Sequence, residues 1–190
     1  MSSQAKTLLT PEAYLLLERG AEHKSEYLDG EMMPMTGASR KHNLIVANIT
    51  GELRQQLKGK PCELYPSDMR VRVPATDLYT YPDVVVVCGE PRFEDEAVDT
   101  LLNPTVIVEV LSESTEAYDR GKKFGYYRTV ASLAEYLLVA QDEGRVEQYL
   151  RQEDGRWLLT DLRSPDAVVE VASLGCALKL SEVYDKVTLP

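Results

Sequence analysis

The sequence predicts an α/β fold, a mixed β-sheet flanked by helices, and three observations predict it. The runs 83–88 and 106–111 are almost continuously β-branched, which marks strands covered on both faces. The stretch 42–57 sets Ile45, Ile49, Leu53 and Leu57 at i, i+4 spacing, one apolar helical stripe suited to packing on a sheet. Between residues 42 and 140 the elements run helix, three strands, helix, strand, an alternation that belongs to sheets with helices on their faces.

Each element has a local cause. Thr10 is placed to cap a helix, Pro11 suits its first position, and the helix runs to about Arg19. Residues 25–35 read as two short strands around Asp29 and Gly30, a dipeptide that favours a tight hairpin turn. Gly59 and Pro61 end the 42–57 helix, and strands are expected over 63–73, 83–88 and 106–111. The acidic connection 90–99 reads as a solvated loop, 116–130 as a helix and 135–140 as a further strand. Turn signals at Gly144 and Gly155 mark hairpin strands over 146–150 and 157–160; a strand over 168–171 and a short helix over 180–187 follow. Residues 1–41 and 141–190 are thus an N-terminal helix and hairpin and C-terminal hairpins added to a 42–140 core. A chain of 190 residues, 44% hydrophobic, is expected to form one domain over 1–190.

Composition narrows the function. No apolar run approaches the length of a membrane span, and the first thirty residues carry no signal-peptide pattern, so a cytoplasmic protein with no membrane partner is expected. Cys62, Cys88 and Cys176 are odd in number, far apart and without a Cys-x-x-Cys pair; they read as buried small side chains rather than disulfide or zinc cysteines. A net charge of -10 argues against gripping nucleic acid over the whole surface, though a cleft with local cations and a bound divalent metal remains compatible with it. Phosphate-binding glycine loops, nucleophile elbows and dinucleotide fingerprints are absent from the sequence.

Two carboxylates stand out. Glu109 interrupts an apolar strand, where an unpaired charge is very costly, and alternation places it on one face with Ile107 and Leu111. Asp83 follows Pro82 and opens the neighbouring strand. Carboxylates on adjacent strands make a hard-oxygen site suited to magnesium, which takes one or two of them and keeps several waters. The bland alternatives are a turn at Pro82 and Asp83, and a salt bridge from Glu109 to Arg70 or Arg72. On the following helix, Gly121, Phe124 and Tyr127 fall at helical spacing, with Lys123 at the border of that face. Lys123 reaches either back to the carboxylates or to Asp119 in an i, i+4 pair, and spacing does not separate the two. His42 reads as a capping or packing residue, His23 has no context, and two histidines leave oxygen as the metal donor.

Several short motifs occur in a specific order: 26–31, His42 with Asn43, 81–84, 108–112, Ser114 with Thr115, and 118–121 followed by Lys123. Together, from about Thr10 to Ala140, they resemble the Uma-two family of restriction-endonuclease-like proteins, within the PD-(D/E)xK nuclease superfamily. The resemblance implies a restriction-endonuclease-like fold and a metal-dependent endonuclease acting on DNA. It implies Asp83, Glu109 and Lys123 as catalytic residues, and Asp83, Glu109 and the Val110 main-chain carbonyl as ligands of Mg2+ or Mn2+. Leu111 stands where the superfamily motif has lysine, and Lys123 matches a lysine moved to the next helix. Glu26, Glu31 and Asp68 are secondary candidates for the same cleft. A chain this small needs a second copy to cut both strands together, which makes a homodimer the expectation. The alternative is a catalytically inactive module that keeps the nuclease fold for interaction or regulation.

Overall fold

The computed structural model describes residues 8–190; the first seven residues of the segment read for a signal peptide lie outside it. Helix α1 (Pro11–Arg19) starts where Thr10 accepts a hydrogen bond from the Ala13 amide. A hairpin follows, β1 (Ser25–Leu28) and β2 (Glu31–Pro34), turned by Asp29 and Gly30, both at positive φ, the conformation the dipeptide favours. Helix α2 (Arg40–Gln56) is capped by Ser39 and buries Ile45, Ile49 and Leu53.

The expected strand over 63–73 is two strands in two sheets. β3 (Cys62–Pro66) pairs with β6 (Val84–Cys88), whereas β4 (Arg70–Val73) pairs with β5 (Leu78–Thr80), which the sequence reading missed. The break has a local cause: Pro66 has no amide to give the ladder, and Ser67 takes a positive φ of 49° that turns the chain away. β7 (Thr100–Leu101) and β8 (Val106–Val110) come next.

The expected helix over 116–130 is shorter and interrupted. It comprises α3 (Glu116–Tyr118), a π-helical turn (Asp119–Lys123) and α4 (Phe124–Tyr127). After β9 (Glu135–Val139), β10 (Val146–Arg151) and β11 (Trp157–Leu162), the chain ends in β12 (Val168–Val171), β13 (Cys176–Lys179) and α5 (Leu180–Val183). β13 was not expected, and α5 covers only the start of the expected 180–187 helix.

A six-stranded sheet runs in the order β11-β10-β9-β8-β6-β3, with a five-stranded sheet β2-β1-β5-β4-β7 and the β12-β13 pair beside it. In the larger sheet β8 and β9 are parallel and the other neighbours antiparallel, which makes it mixed. Alternation along β8 sends Val106, Val108 and Val110 into a core under α2 and the C-terminal elements. Ile107 joins the opposite core with Tyr127 and with Val71 and Leu78 of the small sheet. Residues 141–190 are therefore not an appendage. β10 and β11 extend the main sheet, and buried Glu135 accepts from the Ser173 amide and the Gln148 side chain, tying the β12-β13 segment to it.

The cysteine reading is also corrected. Cys62 and Cys88 face each other in the β3-β6 register, Cα atoms 4.0 Å apart, and form a disulfide; Cys176 stays a buried thiol. Sequence spacing showed no pair because only antiparallel register brings positions 26 residues apart face to face.

Helix α1 is moored by charge. Arg19 bonds Asp95 and Asp99 at 2.8 Å, and Arg70 meets Asp99 at 2.8 Å, so the acidic loop is a docking element rather than a solvated connection. The Arg19 guanidinium holds both aspartates below the usual carboxylate range. A lowered folded value means that this contribution is present above the unfolded carboxylate value of about 4 and is lost as pH falls below it. Acidification below about pH 4 is therefore expected to undock α1. Tyr14 of α1 stacks on Tyr27, so tyrosine near-UV circular dichroism reports the event. Arg19→Ala is expected to remove that acid step, and an unchanged step would refute the mooring.

Candidate active site

The β6-β8 register pairs Val84 with Val108, and continuing it by one residue sets Asp83 across from Glu109. Asp83 thus stands where β6 begins and the β8 ladder has lost its partner. The Val110 amide donates to Asp83 Oδ2 at 2.7 Å, and His42 Nε2 lies 3.1 Å from the same carboxylate. In a strand, the amide and carbonyl of one residue point to the same side, so the Val110 carbonyl opens toward the gap beside Asp83.

Glu109 projects from the face of β8 opposite Val108 and Val110, toward the π-helical turn. Its Oε1 accepts from the Tyr127 hydroxyl at 2.8 Å and meets Lys123 Nζ at 3.0 Å. Lys123 Nζ also lies 3.0 Å from Glu26 of β1 and 3.6 Å from Asp119. Both alternatives for the lysine are realised at once, with Glu109 the nearer partner. Arg70 is engaged by Asp99, and Arg72 by Asp77 and Glu94, so neither arginine neutralises Glu109.

The helical segment presents a stripe of Asp119, Lys123 and Tyr127, all buried, while Gly121 is exposed. The sequence reading had centred the packed face on Gly121, Phe124 and Tyr127. Apolar periodicity weights only apolar residues, and here the buried face carries charges. π-helical turns recur at functional sites, and the Tyr136 hydroxyl donates to the Asp119 carbonyl within this one.

Burial is the largest influence on Glu109. It raises the carboxyl to about 8 against the pull of Lys123, with Asp119 and Asp83 adding to the rise. Burial also raises Asp119. Burial alone would lower Lys123, but Glu109, Glu26 and Asp119 hold it well above the usual lysine value. A carboxyl raised on folding binds a proton that the unfolded chain releases. Stability of the metal-free protein is therefore expected to fall as pH climbs from about 4.5 toward 8. Melting temperatures in chelator, read as wild type minus Glu109→Gln across that range, check this; a difference independent of pH would contradict it.

Of the secondary candidates, Glu26 joins the cluster. Asp68 pairs with Lys24 at 2.9 Å on the surface and is turned away. Glu31 shares the hairpin face of Glu26 but sits at its turn end, opposite Leu28, and is not among the carboxylates on Lys123. Sequence reasoning gave His42 a capping or packing role; its amide does donate to the Ser39 cap, but one ring nitrogen also touches Asp83 while the buried Nδ1 has no partner. It placed Tyr127 on the packed helical face from spacing alone, without its hydrogen bond to Glu109, and gave no role to the buried, unpartnered Tyr118 hydroxyl.

The mixed sheet thus holds one carboxylate at the start of β6 and another on β8, with a lysine reaching back to the second from the next helix. The chain belongs to the Uma2 family, described as "Putative restriction endonuclease", which it matches over residues 11–181. Two uncharacterized proteins of Synechocystis sp. are similar to it. One is 41% identical over 163 residues, covering 86% of this chain and 92% of its own; the other is 36% identical over 176 residues, covering 93% and 91%. A crystal structure from Anabaena variabilis, described as a "putative nuclease belonging to DUF820", shares the fold. It superposes with a TM-score of 0.76 at 21% identity, over 95% of this chain and 99% of that one.

Proposed function

We propose that the protein is a metal-dependent endonuclease that hydrolyses DNA phosphodiester bonds at Asp83, Glu109 and Lys123. The observation that supports this reading is the placement of two carboxylates on neighbouring strands with a lysine on one of them. Asp83, held by the Val110 amide, stands across the extended β6-β8 register from Glu109, and Lys123 reaches Glu109 from the next helix.

The donor chemistry fits a hard divalent ion. Asp83, Glu109 and the Val110 carbonyl offer oxygen only. Magnesium and manganese sites of one or two carboxylates completed by water match that set. When bound, the ion would supply Lewis-acid polarisation of the phosphoryl oxygen and lower the pKa of a bound water.

The remaining chemistry belongs to the chain. Asp83 is fixed by the Val110 amide and His42, which orients its carboxylate toward the gap. Tyr127 fixes Glu109. Lys123 places a permanent positive charge beside the reacting phosphate, where it stabilises the charge that develops on oxygen and orients the attacking water. Cleavage of both strands takes two such sites, so the expected working form is a homodimer with twice the monomer mass in solution. A solution mass equal to the monomer would count against it.

The test incubates the protein with plasmid DNA and Mg2+ or Mn2+, comparing wild type with Glu109→Ala and Lys123→Ala. Cleavage by wild type alone supports the reading. Equal cleavage by all three assigns the activity to another source, and no cleavage by any supports the inactive interaction module.

A further inference from the structure

Lys123 presents an electrostatic problem to any cation at Glu109. Its ammonium is 3.0 Å from Glu109 Oε1 and buried, so a divalent ion on the same carboxylate faces a fixed like charge across a region of weak screening. The ammonium needs a further counter-charge. Two further carboxylates contact it, and Glu26 at 3.0 Å is nearer than Asp119 at 3.6 Å.

Glu26 is built for that place. It comes from β1 of the small sheet, and the buried Thr80 hydroxyl of β5 donates to the same Oε1 that meets Lys123. β1 is itself pinned to β5 at Tyr27 and Tyr79, whose rings pack with Tyr14 of α1. The position of Glu26 is therefore set by the N-terminal hairpin and its attachment to β5 of the small sheet.

We propose that Glu26 is a positioning residue, the counter-charge that holds the Lys123 ammonium so that Glu109 can accept a divalent cation. The N-terminal hairpin is then a working wall of the site. This inference rests on the metal-dependent reading above and extends it to a residue outside the Asp83, Glu109 and Lys123 set.

The experiment is a double-mutant cycle read by Mn2+ binding calorimetry at one pH on the full chain. It uses wild type, Glu26→Gln, Lys123→Met and the double variant, with circular dichroism confirming the fold. Glu26→Gln is expected to weaken Mn2+ about tenfold or more, the size typical of an outer-shell partner. In the Lys123→Met background the same change is expected to have no effect, because the charge to be balanced is gone. Glu26→Asp, which keeps the carboxylate, is expected to retain most of the affinity and covers the case in which the glutamine variant fails to fold. An equal loss in both backgrounds would make Glu26 a ligand in its own right and overturn the proposal, as would unchanged binding in Glu26→Gln. If wild type binds Mn2+ and cuts DNA without this coupling, only the role of Glu26 falls. If wild type binds no Mn2+, the metal-dependent reading falls and takes the proposal with it.

Discussion

Glu109→Gln is expected to abolish Mg2+-dependent DNA cleavage, by about 10³-fold or more, while the protein stays folded. The two halves of this expectation have separate causes. Glutamine keeps the shape of glutamate and an oxygen that can accept from Tyr127, so the buried face of β8 stays filled. Lys123 keeps Glu26 and Asp119 and is not left as an uncompensated buried charge. The charged oxygen pair that a hard cation needs is gone. Lys123→Met lies on the other side of the same balance. It leaves Glu109 and Asp119 buried without their cation, a loss of about 3–5 kcal/mol if both stay charged and less where burial lets them take up protons. Cleavage assays with melting curves separate the cases. An active Glu109→Gln would sink the site assignment, and an unfolded one would place Glu109 in the structure rather than the chemistry.

Removing the Cys62–Cys88 disulfide is expected to cost about 3 kcal/mol. The bond closes a loop of 26 residues, and the figure is that of closing a loop of this length in the unfolded chain. For a chain of this size the melting point should fall by about 6–12 °C in reductant or in Cys62→Ser with Cys88→Ser. β3 is the edge strand of the six-stranded sheet, paired on one side only, so the staple acts where the ladder is weakest. The far ends of the same two strands reach the site, where the Ser67 amide donates to the Asp83 carbonyl at 2.9 Å. A melting point unmoved by reductant would mean that the bond adds nothing to the folded state. Disulfides are rare in reducing cytosol, so the oxidation state of this pair in cells also tests the cytoplasmic expectation.

Much of the fold was legible because local rules and burial agree along it. The β-branched runs of β6 and β8, the i, i+4 stripe of α2, and the Asp29-Gly30 turn each depend on a few neighbouring residues. Each appears where periodicity and turn chemistry put it. What failed to read were choices between sheets. β3 and β4 look like one strand because strand-forming residues recur across both with few residues between them, and only the turn at Ser67 sends them to different partners. β5 and β13 are short, and their pairing partners rather than their composition make them strands. The same limit hid the disulfide, whose two cysteines meet only through the β3-β6 register.

The site divides along the same line. Glu109 was legible from sequence alone, because a carboxylate inside an apolar strand must be neutralised, and alternation already fixed which face its partner would approach. Asp83 was legible as a carboxylate opening the next strand. Which cation answers Glu109 was not legible: Arg70, Arg72 and Lys123 were all chemically adequate, and distance in the folded chain decides among them. Tertiary structure alone turned the Asp119, Lys123 and Tyr127 stripe inward, brought His42 of α2 onto Asp83, and delivered Glu26 from a separate sheet to the lysine. The sequence by itself determined that a buried charge existed and where along the chain it lay. Only the tertiary structure decided what balances it, because Coulomb interactions depend on separations in space that residue spacing along a chain does not set.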